Sequence, residues 1–432
     1  MIVTVSVVSI IAYGAALVAF HKRWLQQQIA FLIIYLAGLT IIGELDVLLP
    51  IYFIVSLLPF LGYIRKLSIP TVLILIYFCL YLIYGLVCQD VTGTIVTFVA
   101  KMWQFVVFFV VYDADIPMSD TDDCGKLIWM AVITETLLGF YLLATSTNVD
   151  ANGLIRLVSN AQPITGNIST VVLPISVYYY LVNKTNARKT GWLLIANAIM
   201  LIWIVLSGTR GYTLEFAATM ILVFYDYFTN RKVKKTSHLN RMVTIVMLGM
   251  GAVLCVVVIP GILEKLESVL RLKSSVGIRT YENAAVQEFM HNAPLATLLF
   301  GIGLGGQGGS YEAMKVALYR QRSLGMWNVD HYLNASGALF HNLYANILMC
   351  LGLFGAIVMI LINISIWRRV TYSCRNHIWI RRIMHLFQLS FLLMNYYRWS
   401  AVCGICEMII FALILKLLGE KEKNNVLTYQ TV

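Results

Sequence analysis

Residues 242–260 read MVTIVMLGMGAVLCVVVIP, a run of nineteen positions without a charged side chain. A run of this length matches the roughly 20 apolar residues that a helix needs to cross a hydrocarbon core of about 30 Å. Strands of a membrane barrel would instead alternate polar and apolar residues over segments of about 10. The run therefore predicts a transmembrane helix, and similar runs recur along the chain from residues 2–20 onward.

The composition extends this prediction to the whole chain. Of its 432 residues, 59% are hydrophobic and 12% are charged, against about 45–50% apolar and about 25% charged in a soluble globular domain. At roughly 20 residues per crossing, this apolar content predicts an all-α polytopic membrane protein with about 12–13 transmembrane helices. The spans are predicted near residues 2–20, 29–43, 46–64, 69–87, 91–112, 127–145, 168–183, 190–206, 212–228, 242–260, 342–365, 383–397 and 400–418.

Basic residues predict the orientation of these spans, because Lys and Arg concentrate in short cytoplasmic loops. One set of loops holds 21 of them, whereas the short segments on the other side hold only Arg156, Arg210 and Arg398. The first set comprises residues 21–28, 65–68, 113–126, 184–189, 229–241, 366–382 and the tail from Lys416. We assign this set to the cytoplasm, with the N-terminus outside. The net charge of +11 has the same origin and does not indicate nucleic acid as a partner.

The predicted spans divide the chain into four regions. Residues 1–145 hold the N-terminal transmembrane helices, residues 146–260 hold helices with outer segments that carry Arg156 and Arg210, residues 261–340 form one large extracytoplasmic loop, and residues 341–432 hold the C-terminal helices and a cytoplasmic tail. Long loops of this kind are usually functional. We therefore expect the active site on the outer face.

Two short motifs do not require a cofactor. Residues 301–306 satisfy the G-x-G-x-x-G spacing, but no βαβ unit surrounds them, so we reject dinucleotide binding in favour of a tightly turned backbone that glycine permits. Asp113 and Asp115 form a D-x-D pair in an acidic loop. A solvated loop is the simpler interpretation there, and we assign no metal site and no cofactor.

Cationic side chains gather on the predicted outer face, namely Arg156, Arg210, Arg279 and Arg398, and His341 opens a span where the large loop ends. A lone arginine at a helix end commonly snorkels to lipid headgroups, but four on one face suit a pyrophosphate, whose oxygens guanidinium groups bind in pairs. Cations that stabilise a leaving pyrophosphate lower the barrier, and a neutral imidazole accepts a proton from a sugar hydroxyl. A helix-start role, bonding backbone or headgroups, is equally open for His341.

These residues resemble the O-antigen polymerase and O-antigen ligase superfamily, polytopic enzymes that handle undecaprenyl-pyrophosphate-linked glycans. The matches fall in family order over residues 150–365. They are Arg156 ahead of Asn160 and Pro163; Ser207-Gly-Thr-Arg210-Gly211, similar to the S-x-x-R-G turn; Arg279 followed by Pro294 and Gly301-Ile-Gly303-Leu-Gly305, similar to an arginine, a proline and a G-x-G-x-G stretch; and His341-Asn342 with Gly352-Leu-Phe-Gly355, similar to the H-N-x9-G-x-x-G element.

The resemblance implies a GT-C-like glycosyltransferase in the bacterial cytoplasmic membrane that uses neither a nucleotide sugar nor a metal and works on the extracytoplasmic face. Carried over to the matched positions, Arg210 and Arg279 would bind the donor pyrophosphate, and His341 would activate the acceptor hydroxyl. Among the remaining candidates, we assign substrate binding to Arg156, Asn342, Gly303, Gly305 and Arg398. Thirteen spans depart from the family's usual twelve with both ends inside.

The favoured function is a polymerase of O-antigen, capsule or exopolysaccharide, which transfers a growing glycan from undecaprenyl pyrophosphate to a lipid-linked repeat unit. Its expected partners are that lipid-linked oligosaccharide and the bilayer, with a chain-length regulator as a further candidate. One alternative is an O-antigen ligase, which passes the glycan to lipid A-core and which the H-N-x9-G-x-x-G match favours. The other is a glycolipid flippase or transporter, which predicts charged residues at mid-membrane. The candidates for that role are Lys101, Glu135, Glu215 and Glu407.

Overall fold

The structure is a computed structural model, and it is mainly helical in the part of the chain that it describes. It describes residues 57–89, 91–116, 147–149, 155–157, 286–287, 289–305, 342–375 and 378–395, with a few positions between 11 and 15 and between 408 and 419. In chain order the elements are α1 (Leu58–Leu61), α2 (Ile69–Cys88), α3 (Val91–Thr97), a π-helix (Phe98–Met102), α4 (Trp103–Asp113), β1 (Thr147–Val149), β2 (Ile155–Leu157), α5 (Leu295–Phe300), α6 (Leu343–Ser373) and α7 (Ile378–Asn395).

Helix α2 confirms the predicted span 69–87 to within one residue. Pro70 lies in its first turn, where a backbone N–H has no partner within the helix, and the chain becomes extended at Gln89, where the helix ends. One face is buried, while apolar side chains such as Leu73 and Leu80 are exposed on the other. An exposed apolar face on a helix of 20 residues suits lipid rather than water.

Helix α6, with 31 residues, is the second described helix that is long and apolar enough to cross a membrane. The helix covers the predicted span 342–365 from its second residue and continues to Ser373, past the charges of Arg368 and Arg369. Charge marks where a chain leaves the hydrocarbon, but it does not end a helix, and residues 356–382 contain neither proline nor glycine. The predicted loop 366–382 therefore shrinks to residues 374–377, between the end of α6 and the start of α7.

Helix α4 forms the core of the described bundle. With α3 and the π-helix it makes a continuous helical stretch that covers the predicted span 91–112. All residues from 104 to 111 are buried, and aromatic rings pack around them, with Phe108 against Phe411 and Phe105 against Phe391. A helix that is apolar on every side is buried on every side.

Contacts at opposite ends fix the directions of α2, α4 and α6. Hydrogen bonds join Ser68, Asp113 and Arg369 at one end, and Leu304 lies against Thr94 at the other. Helix α2 therefore runs antiparallel to both α4 and α6. The grouping of the loops that begin at residues 65, 113 and 366 on one side is confirmed for these three helices, and the assignment of that side to the cytoplasm stays a prediction.

Strands β1 and β2 form an antiparallel hairpin in the predicted outer segment that carries Arg156. Thr147 faces Leu157 in the register, and Asn148 faces Arg156. The hairpin lies in a segment for which the sequence predicts no helix, and it adds two strands of three residues to a mainly helical structure. A local signal was present in the intervening residues, because Asn152-Gly153 is a dipeptide typical of hairpin turns.

Candidate functional site

The structure describes four of the eight predicted site residues. Gly303 and Gly305 lie in the loop after α5, Asn342 immediately precedes α6, and the backbone of Arg156 lies in β2. The other four are Arg210, Arg279, His341 and Arg398, and they lie outside the described residues, as do Glu135, Glu215 and Glu407. Of the described four, Gly303 is brought against α6 and Gly305 against Thr94 of α3.

Residues 301–303 pack against residues 349–352 of α6, and residues 304 and 305 pack against Thr94 of α3. We call these contacts of residues 301–305 the glycine junction. Gly352 has φ 65° and ψ −164°, which interrupts α6. Gly301, Gly303 and Gly305 have φ values of 74°, 91° and 85°. Because L side chains rarely adopt positive φ, both segments of the junction, residues 301–305 and the break at Gly352, require glycine for their backbone conformation. The tightly turned backbone predicted for residues 301–305 is confirmed.

The interruption of α6 is compensated by hydrogen bonds from outside the helix. The N–H of Ile302 donates to the carbonyl of Met349 at 3.0 Å, and the N–H of Gly303 donates to the carbonyl of Cys350 at 3.0 Å. The hydroxyl of Tyr81 donates to the carbonyl of Leu351 at 3.1 Å. The three carbonyls before the break therefore all have partners, as buried backbone groups require.

The junction is also too tight for a side chain at Gly301, Gly305 and Gly352. A Cβ atom at Gly352 would lie 2.5 Å from the backbone nitrogen of Gly301, and one at Gly305 would lie 2.5 Å from the backbone nitrogen of Thr94. A Cβ atom at Gly301 would clash with the carbonyl group of Cys350. Close backbone approach thus explains why glycines occur in both motifs.

Side chains from the α2–α3 region bind the carbonyls of the 301–305 loop. Gln89 donates from Nε2 to the carbonyl of Ile302 at 2.6 Å, and Thr94 donates from Oγ1 to the carbonyl of Leu304 at 2.8 Å. The hydroxyl of Tyr84 reaches the carbonyl of Gly301 at 3.4 Å. The contacts seen for this loop are thus to the chain itself, and substrate binding by Gly303 and Gly305 stays a prediction.

Asn342 caps α6. Its Oδ1 accepts the backbone N–H of Tyr344 at 2.9 Å, which satisfies one of the unpaired N–H groups at a helix start. Its carbonyl accepts from Nδ2 of Asn346 at 2.9 Å. The hydroxyl of Tyr344 then donates to the carbonyl of Leu392 in α7 at 2.6 Å. The first turn of α6, which follows directly on His341 in the chain, is therefore fixed by its cap and by α7.

At the opposite end of the bundle, Asp113 forms an ion pair with Arg369. Nη1 of Arg369 lies 2.8 Å from Oδ1 of Asp113, and the two side chains are only 11% and 7% exposed. Oδ2 of Asp113 accepts from the backbone N–H and from Oγ of Ser68, at 2.8 and 2.7 Å. The guanidinium lies over the rings of Phe109 and Tyr112, with 4.6 and 4.4 Å to their centroids.

This ion pair corrects the expectation of a solvated acidic loop at Asp113, which lies just beyond the predicted span 91–112. Burial alone would raise the pKa of the Asp113 carboxyl, but hydrogen bonding by Thr71 and Ser68 and the charge of Arg369 outweigh it, so this pKa lies below its usual value. The carboxylate is ionised at neutral pH. It holds the ends of α2, α4 and α6 together.

Hydropathy and motif matching overlooked the residues that hold the glycine junction, which are Tyr81, Gln89 and Thr94. The one available signal was that Gln89 directly follows an apolar span, where a polar side chain reaches neighbouring backbone.

No family model and no curated protein matches this chain.

Proposed function

We propose that the protein is a polytopic membrane glycosyltransferase that polymerises a lipid-linked polysaccharide at the outer face of the cytoplasmic membrane. The glycine junction carries this proposal. Two glycine motifs that resemble separate elements of the polymerase and ligase superfamily contact each other, and both are built from positions that accept only glycine. Matches that arose by chance would not be expected to meet in one structural unit.

The proposed reaction is one glycosyl transfer. A hydroxyl of the incoming repeat unit attacks the anomeric carbon of the growing glycan, and the bond from that carbon to the pyrophosphate oxygen breaks. Arg210 and Arg279 are proposed to neutralise the charge that develops on undecaprenyl pyrophosphate as it leaves. His341 is proposed to take the proton from the attacking hydroxyl. The fixed first turn of α6 supports this role, because a catalytic base must be held in one position.

The test uses the purified protein and a lipid-linked repeat unit from its own host as sole substrate. We expect a ladder of polymer on a gel. The substitutions His341→Ala and Arg279→Ala should each lower the rate by about 100-fold or more, as expected for loss of a general base or of transition-state charge stabilisation. Arg368→Ala is the matched control, since Arg368 is exposed at the Arg369 end of the bundle, and it should leave the ladder unchanged. A wild-type protein that gives no ladder contradicts the proposal.

The ligase alternative is favoured by the H-N-x9-G-x-x-G spacing of His341, Asn342, Gly352 and Gly355. A ligase uses the same donor and the same proposed roles for arginine and histidine. It differs only in the acceptor. Absence of a ladder, together with transfer of the glycan once lipid A-core is added, would assign the protein to this branch.

The transporter alternative is favoured by Lys101, which is only 4% exposed and lies in the π-helix. Intramembrane charges and π-helices both occur at functional sites. A transporter would move labelled glycolipid across liposomes without forming glycosidic bonds, and Lys101→Met would stop that movement. Under the polymerase proposal, the wild-type protein forms bonds and moves no glycolipid.

A further inference from the structure

We infer that Thr94, Gln89 and Tyr81 are positioning residues that fix the start of the helix that follows His341. Thr94 and Gln89 hold the 301–305 loop in the break of α6, and Tyr81 binds α6 itself at Leu351. The inference rests on the proposed function and deepens it. None of the three belongs to a motif of the resemblance. Each acts through the backbone of another segment rather than on a substrate.

The 301–305 loop binds α6 some distance from the start of that helix. Residues 301–305 belong to the large segment that was predicted to lie wholly outside the membrane, yet Ile302 and Gly303 bind carbonyls of Met349 and Cys350. Those carbonyls lie about two turns, roughly 10 Å, along α6 from its start. The loop therefore docks beside the helices at a depth that lies within the predicted span 342–365. Irregular backbone at such depth persists only where protein groups satisfy its hydrogen bonds.

Two different parts of the chain satisfy the hydrogen bonds of the 301–305 loop. The loop's N–H groups use α6, whereas its carbonyls at residues 302 and 304 use Gln89 and Thr94. Thr94 is fully buried and Gln89 is half-buried. Removing Thr94 leaves a buried carbonyl without its partner, and removing Gln89 does the same to a partly buried one, which favours undocking of the loop.

The docked loop supports the end of α6 that adjoins His341, the proposed catalytic base. Undocking exposes the carbonyls of Met349 and Cys350 and removes the packing between Gly301 and Gly352. The half-helix from Leu343 to Leu351 then keeps its Asn342 cap and its bonds to Tyr81 and α7, but it loses the loop that packs against its end. Looser placement of this half-helix misplaces the adjoining His341, which lowers kcat more than it raises KM.

The test compares Thr94→Val with Thr94→Ser. Valine keeps the methyl group that packs on Gly85 and loses the donor to Leu304, whereas serine keeps the donor. The first readout, hydrogen–deuterium exchange of peptides covering residues 295–305, does not depend on activity. In Thr94→Val we expect the amides of Ile302 and Gly303 to exchange about tenfold faster or more, as for local opening of a docked segment, and in Thr94→Ser to exchange as in the wild type.

The second readout is the rate of polymerisation. We expect kcat to fall about tenfold or more in Thr94→Val with KM nearly unchanged, since misplaced catalytic groups slow the chemical step, and to recover in Thr94→Ser. Should Thr94→Val fail to fold, Gln89→Met removes the other donor and carries the same expectations. Unchanged exchange in the valine variant overturns the inference, and so does faster exchange with unchanged kcat. If the wild type forms no polymer, the proposed function fails and positioning fails with it, while exchange still shows independently whether the anchor exists.

Discussion

Arg369 is a charged side chain inside an apolar bundle, and it is stable there because every face of the guanidinium has a partner. Asp113 supplies the opposite charge, Ser68 and Thr71 accept from Nη2 at 2.7 and 2.9 Å, and aromatic rings cover the plane. A buried ion pair of this kind adds little net stability over an apolar pair, but breaking it is costly. Arg369 therefore joins the ends of α2, α4 and α6.

Removing one partner of this pair should destabilise the protein strongly. Asp113→Ala leaves the Arg369 charge buried without its counter-ion, and we expect a loss of about 3–5 kcal/mol in the free energy of unfolding. The measurement is reversible denaturation in detergent. Arg368→Ala, at the exposed neighbouring arginine, should change stability by no more than about 0.5 kcal/mol. Equal effects of the two substitutions would show that the ion pair does not hold the helix ends.

Two tyrosines on α2 give a second comparison at the residue scale. Tyr81→Phe removes the hydroxyl that binds the Leu351 carbonyl at the break of α6, and we expect a loss of about 1–3 kcal/mol. Tyr77 lies one turn earlier, and its buried hydroxyl faces Tyr81 and binds no backbone carbonyl among the described residues. Tyr77→Phe should therefore cost less stability than Tyr81→Phe in the same denaturation experiment. If Tyr77→Phe lost stability and Tyr81→Phe did not, the stabilising hydrogen bond would belong to the Tyr77 hydroxyl, which would contradict this account.

Helix α6 is two helical pieces joined at Gly352, and the glycine junction fills the break between them. The amino-acid sequence predicts some of the described elements well and others poorly. Hydropathy, with the polar residue Gln89 at the end of the apolar run, places α2 to within one residue. Glycine spacing predicts a turned backbone at residues 301–305. The partnership of that turn with Gly352 was not predictable, because glycine has no side chain whose chemistry indicates a distant contact.

Gly352→Ala should disrupt α6. Its φ of 65° and ψ of −164° are strained for alanine by about 1–3 kcal/mol, and the added Cβ would lie 2.5 Å from the carbonyl oxygen of Leu299. We expect at least 2 kcal/mol of lost stability, on the order of the strain alone, measured by thermal unfolding. Gly62→Ala is the control, because Gly62 has a φ of −67° that alanine adopts freely, and it should gain up to about 1 kcal/mol. A Gly352→Ala protein as stable as wild type would rule out the close approach at the junction.

At the scale of the whole molecule, the described helices connect two polar structures at opposite ends of an apolar bundle. The ion pair of Asp113 and Arg369 lies at the end predicted to be cytoplasmic, and the glycine junction lies towards the end predicted to be outside. The composition predicts apolar helices, because an apolar content of 59% exceeds that of a soluble globular domain. It could not predict that part of the large loop docks alongside the helices, since docking depends on donors such as Thr94 that are remote in sequence.

Glycosyl transfer from undecaprenyl pyrophosphate is tested most directly by counting products. The purified protein receives only the lipid-linked repeat unit, and released undecaprenyl pyrophosphate is compared with the number of glycosidic bonds formed. We predict one molecule released for each bond, and no release by His341→Ala. Bonds formed without release of undecaprenyl pyrophosphate, or full release by the His341→Ala protein, would contradict the polymerase proposal and the role of the outer end of α6.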